Sequence, residues 1–134
     1  MSMNFNQLNK ASCSCVHFLE LSSQNLLFDK FSPNSSLLVK SSLLEVSSEM
    51  DVILKVSSAL RFPDYFSPNW DAVDECLISL NDWLPANGYV LAFTEASFAW
   101  GKTTLALGKL ISVWQDAAHE WSKVNKPFHL LFIL

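Results

Sequence analysis

Asp71, Asp74, Glu75 and Asp82 crowd into the stretch FPDYFSPNWDAVDECLISLNDW (62–83), and no lysine or arginine stands among them. Carboxylates at this spacing can do two kinds of chemistry. Asp71 and Glu75 could serve as a general acid and base, which needs a concave site that drives their pKa values apart. Ionised carboxylates can also replace phosphate charge and accept paired hydrogen bonds from the guanidinium groups of a basic partner. A helical projection at about 100° per residue favours the second. It places Asp71, Glu75, Ile78 and Asp82 on one convex ridge, with Asp74 on one flank and Cys76 on the other. The opposite stripe, Trp70, Val73, Leu77, Leu80 and Leu84, must face the core.

A solvated face is the plain explanation for such a ridge. Two features speak for docking instead. Solvated faces usually mix both signs of charge, and Tyr65 and Phe66 stand just before the helix, where aromatics beside charges make a binding hot spot. The acids also carry a cost, since like charges at i, i+4 and i+3 oppose a helix by about 0.2–0.5 kcal/mol per pair. Asp71 and Asp74 recover part of it near the positive helix N-terminus, whereas Asp82 sits at the other end and recovers none.

Other chemistry-bearing residues are weaker. GKTT (101–104) has the end of a phosphate loop, but the glycine that pattern needs five residues earlier is Ala96, so a helix start is the better reading. His17, His119 and His129 accompany no nucleophile motif and read as structural. Cys13, Cys15 and His17 alternate as on one face of a strand, yet a metal site needs four ligands, or three and an open position. No second Cys/His cluster supplies the rest, so neither a metal nor a cofactor is expected. An odd number of cysteines fits reduced thiols.

Around these residues the chain reads as a packed protein. Half of its 134 residues are apolar and 13% are aromatic, which excludes disorder and gives a chain able to bury a core without staples. The opening MSMNFNQLNKASCSC has no apolar run of signal-peptide length, and no stretch approaches the ~20 apolar residues of a membrane span. A soluble cytoplasmic protein without a membrane partner is expected. The net charge is −4, and residues 61–85 carry all of it: Asp64, Asp71, Asp74, Glu75 and Asp82 oppose Arg61 alone, while the other acids and bases cancel. Direct nucleic-acid binding is disfavoured without a basic footprint, and a basic partner is favoured.

The positioning elements follow from periodicity. CVHFLEL (15–21) and NLLFD (25–29) are expected as strands of an N-terminal hairpin, and SLLVK (36–40) as a further strand. Ser48 and Asp51 open a helix over about 48–60, stopped before Pro63. Ser67 before Pro68, or Asn69 before Trp70, caps the acidic helix, which is expected to reach about Trp83, ahead of Pro85. YVLAFTE (89–95) is a strand. In 107–124, Leu107, Leu110, Trp114, Ala117, Trp121 and Val124 share one helical stripe. FHLLFIL (128–134) is apolar throughout, as for a strand buried on both faces. Strand, long helix and strand make a right-handed βαβ unit with parallel strands. The expected fold is α/β: a small parallel sheet with packed helices over 36–134, and an extension over 1–35 that adds strands.

FPDYFSPNWDAVDECL, WLPANGYVLAF, a helix containing AAHEW and the terminal PFHLLFIL together resemble the barstar family of ribonuclease inhibitors and immunity-type proteins. The resemblance covers about residues 36–134. It implies a bacterial toxin–antitoxin setting, in which the acidic helix and the loop before it enter the active site of a cognate ribonuclease. Carried over by position, Tyr65 matches the loop aromatic that packs on the nuclease, and Asp71 a helix carboxylate that meets its basic residues. Glu75 takes the place of the central inhibitory aspartate, one methylene longer. The pattern departs at Ser67, where the family has a glycine, and at Asp74, where it has an interface tryptophan. A further family acid falls on Gly108 and Lys109. The expected partner surface is Tyr65, Phe66, Ser67, Asp71, Asp74, Glu75, Ile78 and Asp82. The alternative is an interaction module that docks a basic partner without inhibiting it.

Overall fold

A computed structural model describes residues 5–12, 15–23, 27–28 and 36–134. Its sheet holds β1 (Val16–Leu19), β2 (Leu37–Ser42), β3 (Tyr89–Thr94) and β4 (Phe128–Ile133) in the order β1-β4-β3-β2, all parallel. Parallel neighbours need crossovers. Helices α1 (Glu49–Ala59) and α2 (Trp70–Ile78) separate β2 from β3, and α3 (Ser97–Lys102) and α4 (Thr104–Ser122) separate β3 from β4. This is the expected α/β fold, a small parallel sheet with packed helices.

Every residue of β3 and β4 is buried, as their unbroken apolar sequence requires. Alternation divides them between two cores. Tyr89, Leu91, Phe93, Phe128, Leu130 and Phe132 pack with the helices, whereas Val90, Ala92, Leu131 and Ile133 pack with Leu8, Leu19 and Leu27 on the other face. Where β3 and β4 begin, Gly88 lets three segments converge. The Tyr89 N–H donates to the Pro127 carbonyl (2.8 Å) and the Leu37 N–H to that of Gly88 (2.9 Å).

The N-terminal hairpin needs correcting. Val16–Leu19 is a strand, but it lies parallel beside β4, with Val16 opposite Leu130. Of 25–29 only Leu27 and Phe28 are among the described residues, and these two are helical. Cys13 lies outside the described residues.

Ser48 caps α1 by accepting from the Asp51 N–H (3.1 Å), while the Asp51 carboxylate accepts from the Ser47 N–H (3.1 Å). At its other end Arg61 adopts a left-handed φ of 55°. The Phe62 N–H donates to the Ser57 carbonyl and that of Arg61 to Ser58. This is a Schellman ending with arginine where glycine is usual, and it aims Phe62 inward. In α4 the stripe Leu107, Leu110, Trp114, Ala117 and Trp121 is buried as expected, but Val124 is 62% exposed. The helix closes at Ser122 before Val124 can complete the stripe, and Asn125 turns the chain with a φ of 57°. GKTT is the joint between two helices: Gly101 and Lys102 end α3, and Thr104 begins α4.

Candidate functional site

The loop that leads into α2 is fixed from below. Phe62 packs edge-on against Phe66 (5.0 Å between ring centres) and Trp83 (6.1 Å). The Trp83 indole N–H reaches back to the Leu60 carbonyl (3.0 Å), and the Phe66 N–H closes a turn onto Pro63 (2.9 Å). With Phe66 anchored against the core, its neighbour Tyr65 is thrown outward and is 74% exposed. Ser67 has no left-handed backbone, so the local chain makes no demand for glycine there. Of the two possible caps Asn69 is the one used: its side-chain oxygen accepts from the Ala72 N–H at 2.8 Å.

Helix α2 buries Val73, Leu77 and Cys76, and Leu80 follows them into the core. It stops earlier than expected, at Ile78, and continues as a 3-10 turn over Leu80–Asp82. There the backbone carbonyls have other partners. The Leu77 carbonyl, which an uninterrupted helix would offer to residue 81, accepts the indole N–H of Trp121 on α4 (2.9 Å). Trp83 is held at Leu60. The tighter turn, with 3.0 residues instead of 3.6, rotates Asp82 out of line with Asp71, Glu75 and Ile78. Trp70 fastens the start of α2 elsewhere, donating to Glu49 (2.6 Å), which Lys109 also grips (3.2 Å). The indole first and Lys109 second hold the Glu49 carboxyl below the usual range.

The predicted surface residues separate into distinct roles. Asp71, Glu75, Ser67 and Asp82 are exposed, and Ile78 is 41% exposed among them. Among the described residues the ion pairs are Lys109–Glu49 and Lys123–Glu120, so none neutralises a carboxylate of α2. Lys109 is committed to Glu49.

Asp74 is different. It is half-buried, and its Oδ1 is covered without a hydrogen-bond partner. Burial first, and then Asp116, Asp71 and Glu75, push its carboxyl above the usual range. Asp116, on α4, therefore belongs to the same negative field, and sequence reasoning missed it because it lies on a separate element.

Beside the ridge is a cleft of about 260 Å³ lined by Tyr65, Phe66, Ser67, Ala72, Glu75, Cys76 and Ser79. The projection made the acidic face convex; the loop folded against it supplies a concave wall. Ala72, Cys76 and Ser79 were not anticipated, although they bracket Glu75 at helical spacing. The Cys76 thiol is raised by burial and by Glu75. A larger cleft, about 360 Å³, lies between α1 and the segment before it. Of its two acids, Glu45 and Asp51, the second is occupied by capping, and Lys55 stands in the same cleft, so the α2 cleft, lined by no base, is the better candidate. Among the described residues no group of three His, Cys, Asp or Glu could hold a metal ion.

The sequence profile described as Barstar (barnase inhibitor) matches residues 38–133, from β2 to the end of β4. The chain belongs to the barstar family. No curated protein matches it. Barstar-family proteins are inhibitors, not enzymes. The match includes the Tyr65–Ser67 loop, α2 and Asp116, and excludes β1 with Leu8 and Leu27. Among the described residues no helix is long and apolar enough to cross a membrane.

Proposed function

We propose that this chain is an immunity-type inhibitor that seats the Tyr65–Ser67 loop and the outer side of α2 in the active site of a cognate ribonuclease or nuclease-type toxin. One observation carries the reading: Asp71 and Glu75 are exposed and unneutralised beside a cleft, in a barstar-family chain. Ribonucleases hold phosphate with Arg, Lys and His. Carboxylates one helical turn apart occupy adjacent phosphate positions and accept charge-assisted bonds there. The cleft has room for one partner side chain. Glu75, the Phe66 ring and the Ser67 and Ser79 hydroxyls suit a cationic one. Tyr65 and Ile78 close the rim and exclude water, and Asp74 adds negative field from the flank. Asp82 lies at the periphery, where it steers more than it binds. The inhibitor acts in the cytoplasm, touches neither nucleic acid nor membrane, and needs no cofactor.

A ribonuclease encoded beside the gene would be the test protein. Its ribonuclease activity should fall to the background at one equivalent of this chain, and Asp71→Ala/Glu75→Ala should inhibit poorly. Binding by a partner that keeps full activity, or that has none, would make the chain a docking module instead. Equal inhibition by the double variant would move the inhibitory surface away from α2.

A further inference from the structure

On the face of the sheet away from the site, two histidines join the N-terminal segment to β4. His129 is fully buried; its Nε2 lies 2.7 Å from the Lys10 carbonyl and its Nδ1 lies 2.9 Å from Nε2 of His17 on β1. The rings stack with centres 5.1 Å apart. These contacts fix the protons. The Lys10 carbonyl can only accept, so His129 Nε2 carries hydrogen and, in the neutral ring, Nδ1 accepts. His17 Nε2 must then donate, which leaves its Nδ1 bare. Both bonds are satisfied with both rings neutral.

We propose that this His17–His129–Lys10 chain is an acid-labile clasp, which fastens β1 and the Leu8 segment along the outer edge of β4 and lets them go when the pair is protonated. A first proton on His17 Nδ1 would keep both bonds but bury a positive charge. A second, on His129 Nδ1, would set N–H against N–H and break the clasp. Compensating charge is scarce. On the same face β3 offers Val90 and Ala92, β2 offers Leu38 and the exposed Lys40, and the remainder of β4 offers Leu131 and Ile133. The N-terminal segment adds Lys10, whose carbonyl is already used, and the exposed Glu20, which meets Ser22. Among the described residues no carboxylate lies within ion-pair distance of either ring. Burial, and then the neighbouring ring, lower His17 to about 4, and burial lowers His129.

The sign follows from linkage. Both rings are harder to protonate in the closed clasp than in the open one. The clasp is at full strength above the ordinary value of 6.5 and weakens as pH falls from there towards 4. Opening would uncover the edge of β4, a row of free backbone donors and acceptors ready to pair with another chain.

Native-state amide exchange of the whole chain tests the clasp. The N–H groups of Leu130 and Leu134 bond to the carbonyls of Cys15 and Leu19 across the β1–β4 seam, whereas those of Leu43 and Val73 report on β2–β3 and α2. Between pH 7 and pH 5, after correction for intrinsic exchange, protection at Leu130 and Leu134 should fall about tenfold, with Leu43 and Val73 much less affected. Undiminished protection at Leu130 and Leu134 at pH 5 would overturn the proposal, as would an equal loss at all four amides. His17→Gln/His129→Gln, which can donate and accept but cannot titrate, should abolish the acid dependence. A variant protected at pH 7 that still lost protection like the wild type would place the trigger elsewhere.

Discussion

Replacing Asp74 with asparagine should stabilise the free protein at neutral pH and weaken its complex. One carboxylate oxygen of Asp74 is covered without a partner, and three other acids stand near it. An unsatisfied buried polar group costs about 1–3 kcal/mol. The low end applies because the residue is only half-buried and solvent screens the acids around it. Asparagine leaves a polar atom there, but a neutral amide costs less to bury than a carboxylate and feels no repulsion from the neighbouring acids, so a gain of up to about 1 kcal/mol is expected at pH 7, or a Tm increase of up to about 5 °C for a domain of this size. The pH dependence is diagnostic. Asp74 has its folded-state pKa raised, so its penalty is present above that value and fades as pH falls through it. Urea unfolding of both proteins at pH 7 and at pH 3.8 should show a stability difference that shrinks in acid. A difference that grows in acid, or a variant less stable than wild type at neutral pH, would refute the account. The same substitution should raise the Kd of the nuclease complex, because an acid that is poorly satisfied in the free protein is retained where a partner's cation satisfies it.

Asp71→Ala or Glu75→Ala should each weaken the complex by about 2–5 kcal/mol, the range for truncating one side of a buried charge pair, while leaving the Tm of the free chain nearly unchanged. Calorimetric titration and thermal unfolding separate the two effects. Gly88→Ala should cost about 1–3 kcal/mol, since a Cβ there would stand 2.9 Å from Pro127 Cδ and 3.0 Å from its carbonyl oxygen; a urea midpoint equal to wild type would contradict this. Trp121→Phe should strand the Leu77 carbonyl and cost about 1–3 kcal/mol, with faster amide exchange at the end of α2 as the specific sign.

Periodicity located β2, β3, β4, α1 and α4 because each carries an apolar pattern that only one burial arrangement satisfies. It failed where a distant group decided the outcome. At the end of α2 the Leu77 carbonyl is taken by Trp121, which is far away in the chain, and no local signal in 69–83 announces that. The hairpin failed for a related reason. VHFL alternates like any edge strand, and its choice of β4 as a parallel partner rests on Leu19 meeting Ile133 and His17 meeting His129. At the site, the exposed ridge was legible from the projection. The cleft was not, because the Phe62–Phe66–Trp83 packing that folds the loop against α2 joins residues of three different segments.

The site and the N-terminal segment sit on opposite faces of one sheet, and this arrangement bears on how such an inhibitor can change. The family match begins at 38, yet Leu8 and Leu27 are fully buried and Leu19 nearly so. Burying such side chains contributes about 1.5–3 kcal/mol each, as an upper bound. These leucines cover Val90, Ala92, Leu131 and Ile133, whose alternate neighbours on β3 and β4 form the floor beneath the helices. Because β3 and β4 present one set of side chains to each face, substitutions at Leu8, Leu19 or Leu27 act on stability without touching the acidic surface. Substitutions on the exposed side of α2 can in turn re-shape the docking surface without reaching the second core. Asp74 is the exception. It is wedged between α2 and α4, so a change there alters the helix-side packing and the docking field together.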